Sequence, residues 1–181
     1  MQEEQNLVHR AQHGDKEAFT ELYEAYFDKL YRYVVVRIGN KAEAEDMTQQ
    51  VFVRAYKSIS SFRWKGVPFS AWLFRIAHNL VVDFFRKESK RPTVPLEESL
   101  LVSDEDPRQA IEQQMDIERV MTATRKLTAA QREVVSLRFA GGLTIAEVAR
   151  TMGKSEGAVN ALQHSAIAAL RRILLAGENG A

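Results

Sequence analysis

Apolar residues recur at three- and four-residue intervals along most of this chain, the spacing of helices that bury one face. Phe19, Leu22, Tyr23, Tyr26, Phe27, Leu30 and Tyr33 form the first stripe, which predicts a helix ending near Gly39-Asn40. A second helix begins around Lys41. It places Met47, Val51, Phe52 and Ala55 on one side and Asp46, Gln49, Gln50 and Val53 on another, at i, i+3, i+4 and i+7. After a loop containing Gly66 and Pro68, a third pattern from about Ser70 turns Trp72, Leu73, Ile76, Ala77, Leu80 and Phe84 inward. Arg75, Asn79 and Arg86 remain on a shared outward arc.

The periodicity stops between Arg91 and Asp106, where Pro92, Pro95, Glu97-Glu98 and Asp104-Glu105-Asp106 precede Pro107. This stretch predicts a linker. Beyond it, Ile111 to Arg125 is one helical pattern, and Thr128 caps a helix through Val134, Val135, Leu137, Arg138 and Phe139 that Gly141-Gly142 stops. Thr144 then caps a short helix with Ile145, Val148, Ala149 and Met152 inward. Gly153 makes a turn, and Ser155 caps a long helix reaching about Leu175. A short helix, a glycine turn and a capped longer helix spell a helix-turn-helix. The expected fold is all-α: two small helical domains, 1–90 and 111–181, joined by a flexible acidic linker at 91–110, the second containing the helix-turn-helix.

Composition narrows the functions this pattern can serve. The 181 residues are 45% hydrophobic and 27% charged, and 25 Lys+Arg against 24 Asp+Glu leave a net charge of +1. Wholesale attraction to polyanions is thereby excluded, so only a local patch can bind nucleic acid. No run approaches the roughly 18 uninterrupted apolar residues of a membrane span, and Glu3, Glu4, Asp15, Glu17 and Glu21 stand where a signal peptide needs an apolar core. No membrane insertion is expected, and the expected location is cytoplasmic. The absence of cysteine removes disulfides, thiolate zinc sites and cysteine nucleophiles together.

The local patch lies at residues 54–91. Arg54, Lys57, Arg63, Lys65, Arg75, Arg86, Lys87, Lys90 and Arg91 face only Asp83 and Glu88, and Tyr56, Phe62, Trp64, Phe69 and Trp72 are interleaved with them. Cations mixed with flat rings are what an opened DNA strand requires, since phosphates need neutralising and unstacked bases need a surface. The same residues also fit a solvated helix face over an aromatic core. Trp72 belongs to the buried stripe as well, whereas Trp64, beside Gly66 in a cationic loop, points to exposure.

In the helix-turn-helix, Ser155 leaves free amides for a phosphate, Asn160, His164 and Ser165 can address base edges, and Arg171 or Arg172 a phosphate. Ala158, Ala161, Ala166, Ala168 and Ala169 make this helix weakly cationic, so tight autonomous DNA binding is not expected. His9 and His13 have a ligand-like i, i+4 spacing without the Glu of an H-E-x-x-H arrangement, so no metal is expected. No G-x-S-x-G, P-loop or G-x-G-x-x-G occurs, and neither an enzyme nor a cofactor is expected.

Ala44-Glu45-Asp46-Met47-Thr48-Gln49-Gln50-Val51-Phe52 and Trp72-Leu73-Phe74-Arg75-Ile76-Ala77-His78-Asn79 resemble bacterial RNA polymerase sigma factors, most closely the extracytoplasmic-function (ECF) group. Leu127-Thr128-Ala129-Ala130-Gln131-Arg132-Glu133-Val134 and Gly142-Leu143-Thr144-Ile145-Ala146-Glu147-Val148-Ala149 resemble that family's second conserved domain. The likeness runs from Gly14 to Leu175 apart from the linker.

The resemblance implies an initiation specificity subunit without catalysis of its own. Its first domain docks on core RNA polymerase and opens the promoter's minus-ten element. Its second reads the minus-thirty-five element, and an anti-sigma factor is a further implied partner. By position, Asp46, Gln49, Gln50 and Val53 fall where the family docks on the clamp helices of the largest polymerase subunit, with Gln50 replacing the usual glutamate. Arg54, the Phe62 to Phe69 loop with Arg63, Trp64 and Lys65, and then Trp72, Arg75, Asn79, Asp83 and Arg86 fall on the minus-ten DNA surface. Ser155, Asn160, Ala161, His164, Ser165 and Arg171 fall on the minus-thirty-five surface, where Asn160, Leu162 and Ser165 replace usual cations. A helix-turn-helix regulator acting without polymerase and a helical adaptor binding only protein remain as rival classes. The first would footprint DNA alone; the second would never bind it.

Overall fold

The computed structural model describes residues 2–90 and 118–178, so the predicted linker at 91–110 lies outside the described residues, as do Arg91 and residues 111–117. Helices α1 (Gln2–Gln12), α2 (Lys16–Ile38), α3 (Lys41–Ser58) and α4 (Phe69–Glu88) build the N-terminal part, with a single 3₁₀ turn over Ile59–Ser61. Residues 118–125 form α5, followed by α6 (Ala129–Val135), α7 (Ile145–Met152) and α8 (Glu156–Glu178). The described residues are helical with no strand.

The helix boundaries follow from capping chemistry. The Asp15 carboxylate accepts from the amides of Glu17 and Ala18 at the start of α2, and the Asn40 side chain does the same for Glu43 at the start of α3. Thr128 and Thr144 each form a reciprocal capping box, with Gln131 and Glu147 respectively. Gly153 closes α7 at φ +64°, a left-handed conformation that a side chain would oppose. The Ser155 hydroxyl accepts from the Ala158 amide to start α8. That helix runs three residues beyond the expected end near Leu175.

The regular helix expected through Phe139 is interrupted. After Val135 the chain widens into a π-type turn over Ser136–Ala140, and Phe139 is 59% exposed rather than packed. Close packing accounts for the break. Gly141 lies against α4 so tightly that a Cβ there would stand 2.8 Å from the Phe74 ring and 2.9 Å from the Leu137 carbonyl oxygen.

Both helical sets form as the periodicity predicts, and they also pack on one another. A single core joins Leu22, Leu30, Tyr33, Val51, Phe52, Leu73, Phe74 and Val81 with Val134, Leu137, Leu143, Val148 and Val159. The shared core explains why the expected inward set of α4 is incomplete. Leu73, Ala77 and Leu80 are buried as expected and Trp72, Ile76 and Phe84 only half so, while Phe74 and Val81 are fully buried on a further face. Helix α4 packs against α2 and α3 and also against α7, so a one-face pattern understates its burial.

Candidate nucleic-acid and partner interface

The polar arc of α3 stands clear of the core. Asp46, Gln49, Gln50 and Val53 are exposed, while Ala44, Met47, Thr48, Val51, Phe52 and Ala55 behind them are buried. Gln49 donates to the Tyr23 hydroxyl at 3.0 Å. Val53 and Tyr56 are large apolar side chains at least half exposed, which gives the arc an apolar end. The arrangement suits a flat protein contact.

From the end of α3 the chain enters the cationic loop. Two backbone carbonyls pin it, since Gln12 donates to the oxygens of Ile59 and Phe62 at 3.0 and 2.9 Å. Phe62 and Phe69 are buried, and both tryptophans rest on them: Trp64 and Trp72 lie 5.1 and 5.2 Å from the Phe62 ring. The expected contrast between a core Trp72 and an exposed Trp64 therefore gives way to two half-buried rings. Packing on Phe62, edge-to-face for Trp64 and tilted for Trp72, is the reason, and it leaves part of each indole at the surface.

Arg54, Lys65, Asn79 and Arg86 are exposed on α3, the loop and α4. Arg63 is exposed too but folds back on the loop, donating to the carbonyls of Ser60 and Phe62. Asp83 and Arg86 form a surface pair at 3.4 Å, which contributes little to stability and leaves the arginine free to exchange its partner. Arg75 donates to the backbone carbonyl of Arg150 on α7.

On α8, Asn160, Ala161, His164, Ser165 and Arg171 are exposed, as is Ser155 at its start. Val159 and Ala166 are buried and fix the other face. Ser165 is not free, because its hydroxyl accepts from Gln131 and donates to the Leu162 carbonyl. Thus the structure brings the minus-ten candidates together along α3, the loop and α4, and the minus-thirty-five candidates along one face of α8.

Periodicity did not reveal the group that joins the two sets. Glu133, 3% exposed on α6, accepts from the Tyr33 hydroxyl at 2.7 Å and from His78 Nδ1 at 2.8 Å. Arg37 Nε lies 2.9 Å from its other oxygen, an ion pair without an aligned hydrogen bond. The Arg37 guanidinium also sits over the Phe85 ring. Burial pushes the Glu133 pKa up, yet the His78 hydrogen bond, the Arg37 charge and the Tyr33 hydrogen bond prevail and hold it below the ordinary 4.5. The ionised carboxylate makes His78 Nδ1 the protonated nitrogen. Burial, then the Glu133 charge, keeps the Tyr33 hydroxyl protonated far above its ordinary range.

A carboxyl whose pKa is lower folded than unfolded contributes fully above the unfolded value and loses that contribution as pH falls through the folded one. The melting temperature is therefore expected to drop more steeply below pH 4.5 in the wild type than in Glu133→Gln. Parallel acid profiles from scanning calorimetry would reject this role for the carboxylate.

Among the described residues, no cluster of three or more His, Asp or Glu could hold a metal, and no helix is long and apolar enough to cross a membrane. Comparison with known proteins adds sequence kinship to this geometry. The family described as Sigma-70 region 2 matches residues 22–91, and Sigma-70, region 4 matches residues 124–172. The ECF RNA polymerase sigma factor BldN of Streptomyces coelicolor is 42% identical over 93% of this chain, which spans 64% of that relative's length. The ECF RNA polymerase sigma factor SigW of Bacillus subtilis is 32% identical over 92% of this chain and 94% of its own. A solved structure of CnrH in complex with the cytosolic domain of CnrY superposes with a TM-score of 0.76, at 25% identity, over 96% of this chain and 98% of that one.

Proposed function

The chain belongs to the ECF group of RNA polymerase sigma factors, and we propose that it is a transcription-initiation specificity subunit that binds core RNA polymerase and directs it to promoter DNA. In this reading residues 1–90 dock on polymerase and melt the minus-ten element, residues 91–110 link, and residues 111–181 read the minus-thirty-five element. It acts in the cytoplasm, without catalysis or cofactor of its own. The observation that carries the reading is a cation-aromatic face on α3 and α4 in the same chain as a capped helix-turn-helix, each within its matched sigma region.

The exposed 46/49/50/53 arc supports docking on core, because its apolar opposite face is already consumed by the fold. The exposed Arg75 and Asn79, near two half-buried indoles, support capture of a displaced strand. An anti-sigma protein is the third partner we infer, supported by the likeness to a structure in which CnrH holds another protein's cytosolic domain. Reconstitution with core polymerase on genomic fragments, followed by sequencing of transcript starts, tests the whole reading. A footprint produced without polymerase would favour the helix-turn-helix regulator instead.

Arg75 and Asn79 divide the work at the minus-ten element. Arg75→Ala is expected to weaken strand binding across sequences and to flatten the log-log salt slope by about 0.7, one phosphate's worth for a single strand. Asn79→Ala is expected to relax base preference, because an amide reads base edges. Salt titrations on two promoter sequences separate these outcomes, and equal loss of both properties in both variants would contradict the division.

A further inference from the structure

We propose that Gln131, a positioning residue on α6 and outside the helix-turn-helix, fixes the hydrogen-bond polarity of Ser165 on α8. Held in this way, Ser165 accepts from the exocyclic amine of an adenine or a cytosine and does not donate to a guanine or a thymine. The inference rests on the minus-thirty-five reading of α8 given above.

Protons and lone pairs decide the polarity. Thr128, the cap of α6, meets Gln131 twice: its backbone N–H donates to Gln131 Oε1 at 3.1 Å, and its hydroxyl oxygen accepts from the Gln131 backbone N–H at 3.3 Å. A backbone N–H can only donate, so the carbonyl end of the Gln131 amide is pinned at Thr128 and the NH2 end points away from it. That end donates to Ser165 Oγ at 3.0 Å, across 34 positions of chain. The serine oxygen is therefore an acceptor in this bond. Its one proton goes to the Leu162 carbonyl at 3.1 Å, a group that can only accept. With the proton and one lone pair engaged, a single lone pair is left for an outside donor.

Ser165 is exposed on the face of α8 that also carries Asn160, Ala161 and His164. In the major groove the exocyclic amines of adenine and cytosine are donors, whereas guanine O6 and N7 and thymine O4 are acceptors. An oxygen with only a lone pair to offer attracts the amines and repels the others. A serine alone on a helix would discriminate less, because its hydroxyl turns to suit either kind of base. Turning only the O–H bond here would set a serine lone pair against the Leu162 carbonyl oxygen, and rotating the whole side chain would break the Gln131 bond as well. Specificity at this position thus comes from two helices, and only one of them touches the base.

The test uses the full-length chain with core polymerase and a promoter duplex identified by sequencing of transcript starts. Along its minus-thirty-five element, each adenine in turn is replaced by purine and each cytosine by 2-pyrimidinone, which deletes the major-groove amine. At one position the deletion should weaken wild-type binding about three- to tenfold, the scale of one hydrogen bond, beyond its effect on Ser165→Ala. Gln131→Met should respond to the same deletion by less than about twofold beyond Ser165→Ala, because its serine is free to donate or accept. Thr128→Ala separates positioning from capping. It breaks the same box from the other side and should lower the melting temperature as Gln131→Met does, yet it keeps the N–H that orients the amide and should keep the wild-type response.

A wild-type response retained in Gln131→Met would overturn the positioning role, and so would equal loss of the response in Gln131→Met and Thr128→Ala, which would reduce Gln131 to a cap. If no amine deletion is coupled to Ser165→Ala while scrambling the whole element still weakens binding, the readout by Ser165 is overturned and the minus-thirty-five reading stands. If scrambling the element leaves wild-type binding unchanged, that reading falls and the proposal falls with it.

Discussion

Asp46→Arg combined with Gln49→Ala is expected to abolish co-elution with core RNA polymerase while leaving helical content unchanged. Both side chains stand on the exposed arc of α3, so neither change opens a cavity. The helix itself is secured elsewhere, by the Asn40 cap and by Met47, Val51, Phe52 and Ala55 in the core. Among the described residues, the bond lost inside the fold is the exposed one from Gln49 to the Tyr23 hydroxyl, and exposed substitutions of this kind change stability by about 0.5 kcal/mol or less. Across an interface the same changes weigh far more. On the proposed docking surface, reversing Asp46 would set a positive charge where a negative one stood, and like-charge juxtapositions across an interface cost several kcal/mol. Gln50 on the same arc offers no negative charge to compensate. Size-exclusion chromatography with core polymerase and circular dichroism check the two halves of the expectation. Undiminished co-elution would reject the docking assignment.

The elements that sequence made legible are those governed by local chemistry. Thr128, Thr144 and Ser155 each begin a helix because a side-chain oxygen meets a free amide three residues ahead, and Gly153 ends one because its backbone turns left-handed. The two arcs of α3 were legible for a similar reason, since one of its faces is fully consumed by the core. What escaped is long-range. Glu133 and Tyr33 meet across 100 positions of chain, and nothing local marks a carboxylate that follows Gln131 and Arg132 as a bridge rather than a solvated charge. Phe74 escaped because the inward stripe was drawn for one partner surface, whereas α4 has partners on more than one side. Trp64 is half-buried despite its neighbours in sequence, Arg63, Lys65 and Gly66, because its neighbour in space is Phe62. The candidate site was therefore readable as a list of residues, but the bonds that Ser70 and Arg75 make to α7 were not.

Phe74→Ala is expected to destabilise the chain by about 3–5 kcal/mol, the range for removing a fully buried aromatic side chain. The ring lies edge-on to Tyr33 at 5.6 Å and fills the space against which Gly141 closes, so its loss opens a cavity at the junction of α2, α4 and the π-type turn. Gly141 cannot fill that space. Since it carries no side chain and its turn is held by the Gly141 to Ser136 backbone bond, collapse would require moving the turn as a unit. For a chain of this size each kcal/mol shifts the melting temperature by about 2–4 °C, so a fall on the order of 10 °C should be seen. Phe139→Ala is the matched control: the same chemical truncation on a ring that is largely exposed should shift stability by about 0.5 kcal/mol or less. The pair separates packing from the mere loss of an aromatic residue. Because Phe74 belongs to the core shared by both helical sets, its loss should also uncouple them, broadening the thermal transition or splitting it into two. Chemical and thermal denaturation followed by circular dichroism measure both effects. A Phe74→Ala protein that melts with the wild type would show that the two sets do not depend on their common core for stability.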